Sequence, residues 1–173
     1  MPEAQNPPEQ LASFLAKFTP EIAALTEAIL AKMRKRYPIA LDLVYDNYNA
    51  LAIGFCPTER TSEAIFSIAV YPKWVSLFFL QANRGLPDPE DLLQGSGGVV
   101  KHIRLPKAAT LDEPAVKALM LEAVARAKVP FDRKGTHRLI IKSISAKQRP
   151  RRPTESAQPT LCTSKARLKK STN

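Results

Sequence analysis

The chain has 173 residues, 45% hydrophobic and 24% charged, with 26 Lys and Arg against 16 Asp and Glu for a net charge of +10. That length fits one globular domain with appendages and makes a second full domain unexpected. The charge is unevenly placed: residues 1–141 hold 17 basic against 15 acidic side chains, whereas Lys142 to Asn173 hold 9 basic residues against the single Glu155. The body is near neutral, so the overall basicity says little about the folded surface and directs the search for an electrostatic partner to the tail.

Cys56 and Cys162 lie far apart, one of them in the polar tail, and do not form the spacing of a secreted disulfide framework. The first nine residues carry neither a basic residue nor an apolar run, unlike a signal peptide. No segment approaches the ~18 continuous apolar residues that span a bilayer. The expectation is a cytoplasmic protein in a reducing compartment, without membrane contact.

In chain order, Met1 to Gln10 is Pro-rich and polar and is expected to be loosely attached, with a short helix over Leu11 to Phe18. Thr19-Pro20-Glu21 is a helix start: Thr19 caps exposed N–H groups, Pro20 suits the first turn, and Glu21 complements the positive helix end. Ile22, Leu25, Ile29 and Met33 then recur at spacings of three and four and form one apolar face. Lys32, Arg34, Lys35 and Arg36 crowd the negative end of this helix as a solvated, dipole-matched terminus, and Tyr37-Pro38 stops it.

From Leu43 the pattern turns strand-like, through Tyr45, a turn at Asn47-Tyr48-Asn49, and Ala50 to Phe55. Ala64 to Tyr71 and Trp74 to Gln81 are rich in β-branched and aromatic residues and, joined by Pro72-Lys73, predict an antiparallel hairpin. Leu86 to Asp91 is a loop leading into a short turn at Leu92-Leu93, and Val99 to Leu105 is a further strand. Asp112 is the expected cap of a helix with Glu113 and Pro114 in its first turn and Val116, Leu119, Met120, Ala123, Val124 and Ala127 as its stripe. His137 to Ile144 fits an edge strand or a short helix equally well. Beyond Ser145, Lys, Arg, Pro, Ser and Thr replace apolar residues, the composition of a disordered tail. The layout is α+β, an antiparallel sheet with helices packed on one face: an extension over 1–18, a domain over 19–144 and a basic tail over 145–173. An apolar strand left at a sheet edge would favour pairing into a homo-oligomer.

The strand pair, the Asp88-Pro89 loop, Gly95-Ser96-Gly97-Gly98-Val99-Val100-Lys101-His102-Ile103-Arg104 and the helix from Glu113 to Lys128 resemble the YdhG-like domain family, DUF1801, over roughly Leu41 to Lys128. The resemblance implies a small intracellular α+β domain, and a frataxin-like iron-chaperone role as one function to weigh. A labile iron site needs several oxygen ligands on one face. Glu21 and Glu27 are six residues apart and fall on different faces of their helix, and Lys32 to Arg36 separate them from Asp42 and Asp46. No metal site and no cofactor are assigned.

Four groups of residues carry the remaining site expectations. Gly95, Ser96, Gly97 and Gly98 could present N–H groups to a small anion beside Lys101, His102 and Arg104, although strand alternation sends Lys101 to one face and His102 and Arg104 to the other. A ligand cleft, if present, is expected where Asn47, Tyr48, Tyr71 and Trp74 meet that Gly-rich turn; core packing is the competing account of the aromatic residues. No catalytic residue is assigned: Cys56 to Arg60 is too short for a thiolate phosphatase loop, and a Cys/His or acid/His pair would need His102 or His137 beside Cys56 or a carboxylate through tertiary contact. Finally, Lys147, Arg149, Arg151 and Arg152, with Lys165, Arg167, Lys169 and Lys170, could bind nucleic acid or another polyanion by counterion release, on a tail with no aromatic residue to stack on bases. The expected function is a non-enzymatic binding domain with a basic tail for anionic polymers, the alternative an iron-chaperone or small-anion-binding protein.

Overall fold

A computed structural model describes residues 5–154. Six strands form one sheet in the order β5-β4-β3-β2-β1-β6, with β1 at Leu41–Asp46, β2 at Leu51–Cys56, β3 at Phe66–Val70, β4 at Val75–Phe79, β5 at Lys101–Arg104 and β6 at Leu139–Ile144. The helices are α1 (Pro7–Leu15), α2 (Pro20–Arg36) and α3 (Pro114–Ala125). The fold is the expected α+β arrangement with one change. His137 to Ile144 resolves as a strand, and β6 runs parallel to β1 with Leu43 opposite Ile140, so the sheet is antiparallel except at that edge.

Strand alternation separates two faces. Val44, Ile53, Phe55, Phe66, Ile68, Leu77 and Phe79 share one buried cluster with Phe14 and Phe18, Ile29 and Met33 of α2, and Leu119 and Met120 of α3. Full burial of side chains of this size stabilises by about 1.5–3 kcal/mol each before entropy is counted. Leu41, Leu43, Cys56 and Ala64 form a smaller cluster on the opposite face.

The described part of the expected N-terminal extension, from residue 7 to residue 18, packs into the domain. Leu11, Phe14, Leu15 and Phe18 belong to the main core, and the helix begins four residues before the expected start. Asn6 accepts from the Glu9 N–H at 3.0 Å while the Glu9 carboxylate accepts from the Asn6 N–H at 3.3 Å, a capping box followed by Pro7 and Pro8 in the first turn.

The basic end of α2 is not simply solvated. Arg34 Nε donates to Asp42 at 2.8 Å, and Lys32 and Arg36 both pair with Asp112. Asp112 therefore serves α2 and leaves α3 with Glu113 at its N-cap and no side-chain cap.

Candidate functional site

Topology gathers the site before any side chain is considered. β1, β3, β5 and β6 all run the same way, so their C-terminal ends lie at one edge of the sheet. The Asn47–Asn49 turn, the Tyr71–Trp74 hairpin, Arg104 with the loop beyond it, and the segment following β6 therefore share that edge. The Tyr71 N–H donates to the Trp74 carbonyl at 2.9 Å, closing the hairpin over Pro72 and Lys73. Its aromatic rings consequently stand side by side, with centroids 5.0 Å apart and planes 27° from parallel. The Arg104 guanidinium lies over the Trp74 ring at 4.6 Å.

The first ten residues of the expected tail pack onto this edge instead of leaving the body. The Ser145 N–H donates to the Asp46 carbonyl at 2.8 Å, and the Arg149 N–H to the Tyr48 carbonyl at 2.9 Å. Asp46 is the anchor: its buried carboxylate accepts from Lys17 Nζ at 2.6 Å and from Arg151 Nη2 at 2.7 Å. Arg151 also donates to the Asn47 carbonyl and stacks over Phe18. Arg152 reaches the carbonyls of Ala16 and Lys17 at 3.4 Å each, where the negative end of α1 favours a cation.

Arg151 is therefore corrected from a polymer-binding residue to an internal one, being 5% exposed with its charge already matched by Asp46. Arg149 and Arg152 remain exposed. Between them and the hairpin lies a groove of about 770 Å³ lined by Asn49, Tyr71, Lys73, Trp74, Arg149 and Arg152. Arg149 also sits 5.5 Å from the centroid of the Tyr48 ring, which is 48% exposed. Asn47 contributes only its backbone. The tail cations and the aromatic residues, two separate features of the sequence, thus form one surface. Lys165, Arg167, Lys169 and Lys170 fall outside the described residues.

The Gly-rich turn does not join this surface. It precedes β5 and so lies at the opposite end of β4, about 14 Å away for the four residue steps from Val75 to Phe79. Lys101 turns back to donate to the Gly95 carbonyl. His102 stacks on Phe78 with centroids 5.0 Å apart and exchanges backbone hydrogen bonds with Gln94. Only Arg104, at the far end of the strand, reaches the aromatic hairpin. An anion site converging on Gly95 to Gly98 with Lys101, His102 and Arg104 is not what the fold builds; Lys101 already has a carbonyl partner.

The fold does place a histidine against a carboxylate. His137 Nε2 lies 3.3 Å from Asp42 Oδ2 without a hydrogen bond between them, and that oxygen accepts from Arg34 Nε. Asp42 is buried on the helix-facing side of β1, and among the described residues no hydroxyl or thiol is hydrogen-bonded to His137. Cys56 lies on the other face, buried, and desolvation first, with Asp42 and Glu63 adding to it, pushes its thiol up to about 12. The pair has no nucleophile to activate. Among the described residues no three His, Cys, Asp or Glu side chains are grouped so as to hold a metal ion, and no helix is long and apolar enough to cross a membrane.

No protein-family model, curated protein or solved structure matches the chain.

Proposed function

We propose that this chain is a binding domain for polyanionic ligands, and that the folded edge of the sheet, together with the tail, supplies the site. One observation carries this reading: Lys73, Arg104, Lys107, Arg149 and Arg152 gather at one end of the molecule, and among the described residues none of them forms an ion pair. Arg151 at the same end, and Arg34, Arg36, Arg60, Arg126 and Arg138 elsewhere, are matched by carboxylates; Arg84 and Arg133, which lie apart from this group, are not, so it is the gathering of unpaired cations and not their lack of partners that distinguishes this end. Cations held together without partners release counterions when phosphates or sulfates replace them, which favours polymers over single anions. The resemblance to YdhG-like domains fits the helix, antiparallel sheet and helix layout; the iron-chaperone alternative finds no grouped ligands among the described residues to support it.

Point substitutions test this better than removal of residues 145–173, which would strip Arg151 from Asp46 and unsettle the body. Binding of the full-length protein to heparin and to an oligonucleotide is followed against salt. Neutralising Arg149 and Arg152 to Ala should lower the logarithmic salt slope for the single strand by about 1.4, at roughly 0.7 per lost contact. A quadruple Ala variant at Lys165, Arg167, Lys169 and Lys170 reports the distal tail separately. Unchanged slope and affinity in the Arg149/Arg152 variant would remove the folded edge from the site.

A further inference from the structure

The groove does not end at the hairpin. A second cavity of about 500 Å³, bounded by Glu21 and Leu25 of α2 and by Arg104 and Lys107, shares Lys73 and Trp74 with the first. Trp74 is thus the wall between two adjoining spaces. Cations stand on both sides, Arg149 and Arg152 beyond Tyr71 and Lys107 beyond Arg104, with Glu21 the one carboxylate among the described residues lining either space. The divider between them is a ladder of flat groups, Arg104 on Trp74 and Trp74 beside Tyr71.

This arrangement suits a ligand in which planar rings alternate with negative charges along a flexible chain. Stacking on an aromatic ring requires the face of the base, which a duplex keeps covered. Sulfated or phosphorylated chains without rings can use the cations alone. We infer that the surface takes single-stranded nucleic acid, with a base against the outer face of Tyr71, the end of the Arg104–Trp74–Tyr71 ladder, and the strand continuing past Trp74 into the second cavity. This rests on the polyanion-binding reading and specifies its substrate class and path. Sequence selectivity is not part of it, since every base offers a stacking face and the groove wall offers few directed side-chain amides besides Asn49.

The protein contains a single tryptophan, so its emission reports on this position alone. The full-length protein is titrated with a single-stranded octanucleotide, the same sequence as a duplex, a dinucleotide and heparin, following both anisotropy and tryptophan emission. The octanucleotide should quench Trp74, while duplex and heparin bind without comparable quenching. Lys107→Ala, at an exposed side chain with no hydrogen bond or ion pair among the described residues, should weaken the octanucleotide by roughly threefold and leave the dinucleotide unchanged. Equal quenching by duplex or by heparin would overturn base stacking while leaving the polyanion reading intact. An octanucleotide indifferent to Lys107→Ala would overturn the path past Trp74. Binding of none of the four would overturn both readings together.

Discussion

Arg151 and Asp46, 105 positions apart, meet at 2.7 Å with side chains only 3% and 1% exposed. Removing Arg151 leaves the buried Asp46 carboxylate with only the part-exposed Lys17 as counter-charge, a loss bounded by the ~3–5 kcal/mol of breaking a buried pair. Arg151→Ala should therefore lower the urea midpoint of the whole domain, although the residue lies in a segment whose composition predicts disorder. Replacing both residues, Asp46→Asn with Arg151→Met, should recover part of the loss because no buried charge then remains, Lys17 being part-exposed. A midpoint unchanged by Arg151→Ala would show that the segment is not fastened through this pair.

The N-terminal helix offers a second test on stability. Asn6→Ala removes one half of the capping box and should cost about 1 kcal/mol. Phe18→Ala removes a ring that is 1% exposed and should cost about 3–5 kcal/mol. Both losses should appear in one cooperative transition monitored by circular dichroism; a separate early transition for α1 would mean that it docks independently.

Alkali should destabilise the fold through two protons that only the native state retains. Burial pushes the Cys56 thiol from 9.0 and the Tyr37 hydroxyl from 10.0 up to about 12 each. Tyr37 packs against the rings of Phe66 and Phe131, at 5.4 and 5.3 Å, and its buried hydroxyl has no hydrogen-bond partner. Their contribution to stability is complete below about pH 9 and declines between the unfolded and folded values, as the unfolded chain ionises first. A Cys56→Ala/Tyr37→Phe variant should show a flatter loss of stability from pH 9 upward than the parent. In a Cys162→Ser background, Cys56 should react with a thiol reagent at pH 8 only when the protein opens.

Acid should act on the opposite sign of group. The Lys32 hydrogen bond to Asp112, aided by the Lys32, Arg36 and Lys117 charges, holds its carboxyl below the ordinary aspartate value. That contribution is present above the unfolded pKa and is lost as pH falls through the folded one. Asp112 is exposed, so Asp112→Asn should give a small loss at neutral pH that shrinks in molar salt and disappears in acid. A loss insensitive to salt would point to a packing defect instead.

The helices, the hairpin at Pro72-Lys73 and the apolar strands were legible because each is written locally, in spacing, caps and turn residues. The four-residue shift at α1 has a local cause too: the Asn6-to-Glu9 box stands in the sequence, masked by the prolines around it. β6 was ambiguous for another reason. Its residues acquire a strand partner only through Leu43 and its neighbours, about a hundred positions earlier, and no periodicity within His137 to Ile144 encodes that. The same holds for the site. Tyr48, Tyr71 and Trp74 lie far in sequence from Arg149 and Arg152, so the aromatic and the charged residues stand in different regions of the chain. What joins them is the direction of four strands and one buried carboxylate. Composition from Ser145 onward resembled a free tail because Arg151 is fastened by ionic partners and an aromatic ring, neither of which raises the apolar content of the segment.

The clasp between the two ends also sets an order of events during synthesis. Asp46 and Lys17 are made long before Arg151, and at ~5–20 residues per second a gap of 105 residues is on the order of ten seconds. Once Arg104 has been made, the growing chain contains every residue of β1 to β5 and the Lys17 that pairs with Asp46, yet still lacks Arg151, the buried partner of that carboxylate. A ribosome that stops before position 151 releases a product carrying this defect, while one that passes it completes the fold. Proteases that sample opened molecules would therefore cut chains ending before position 151 faster than finished ones.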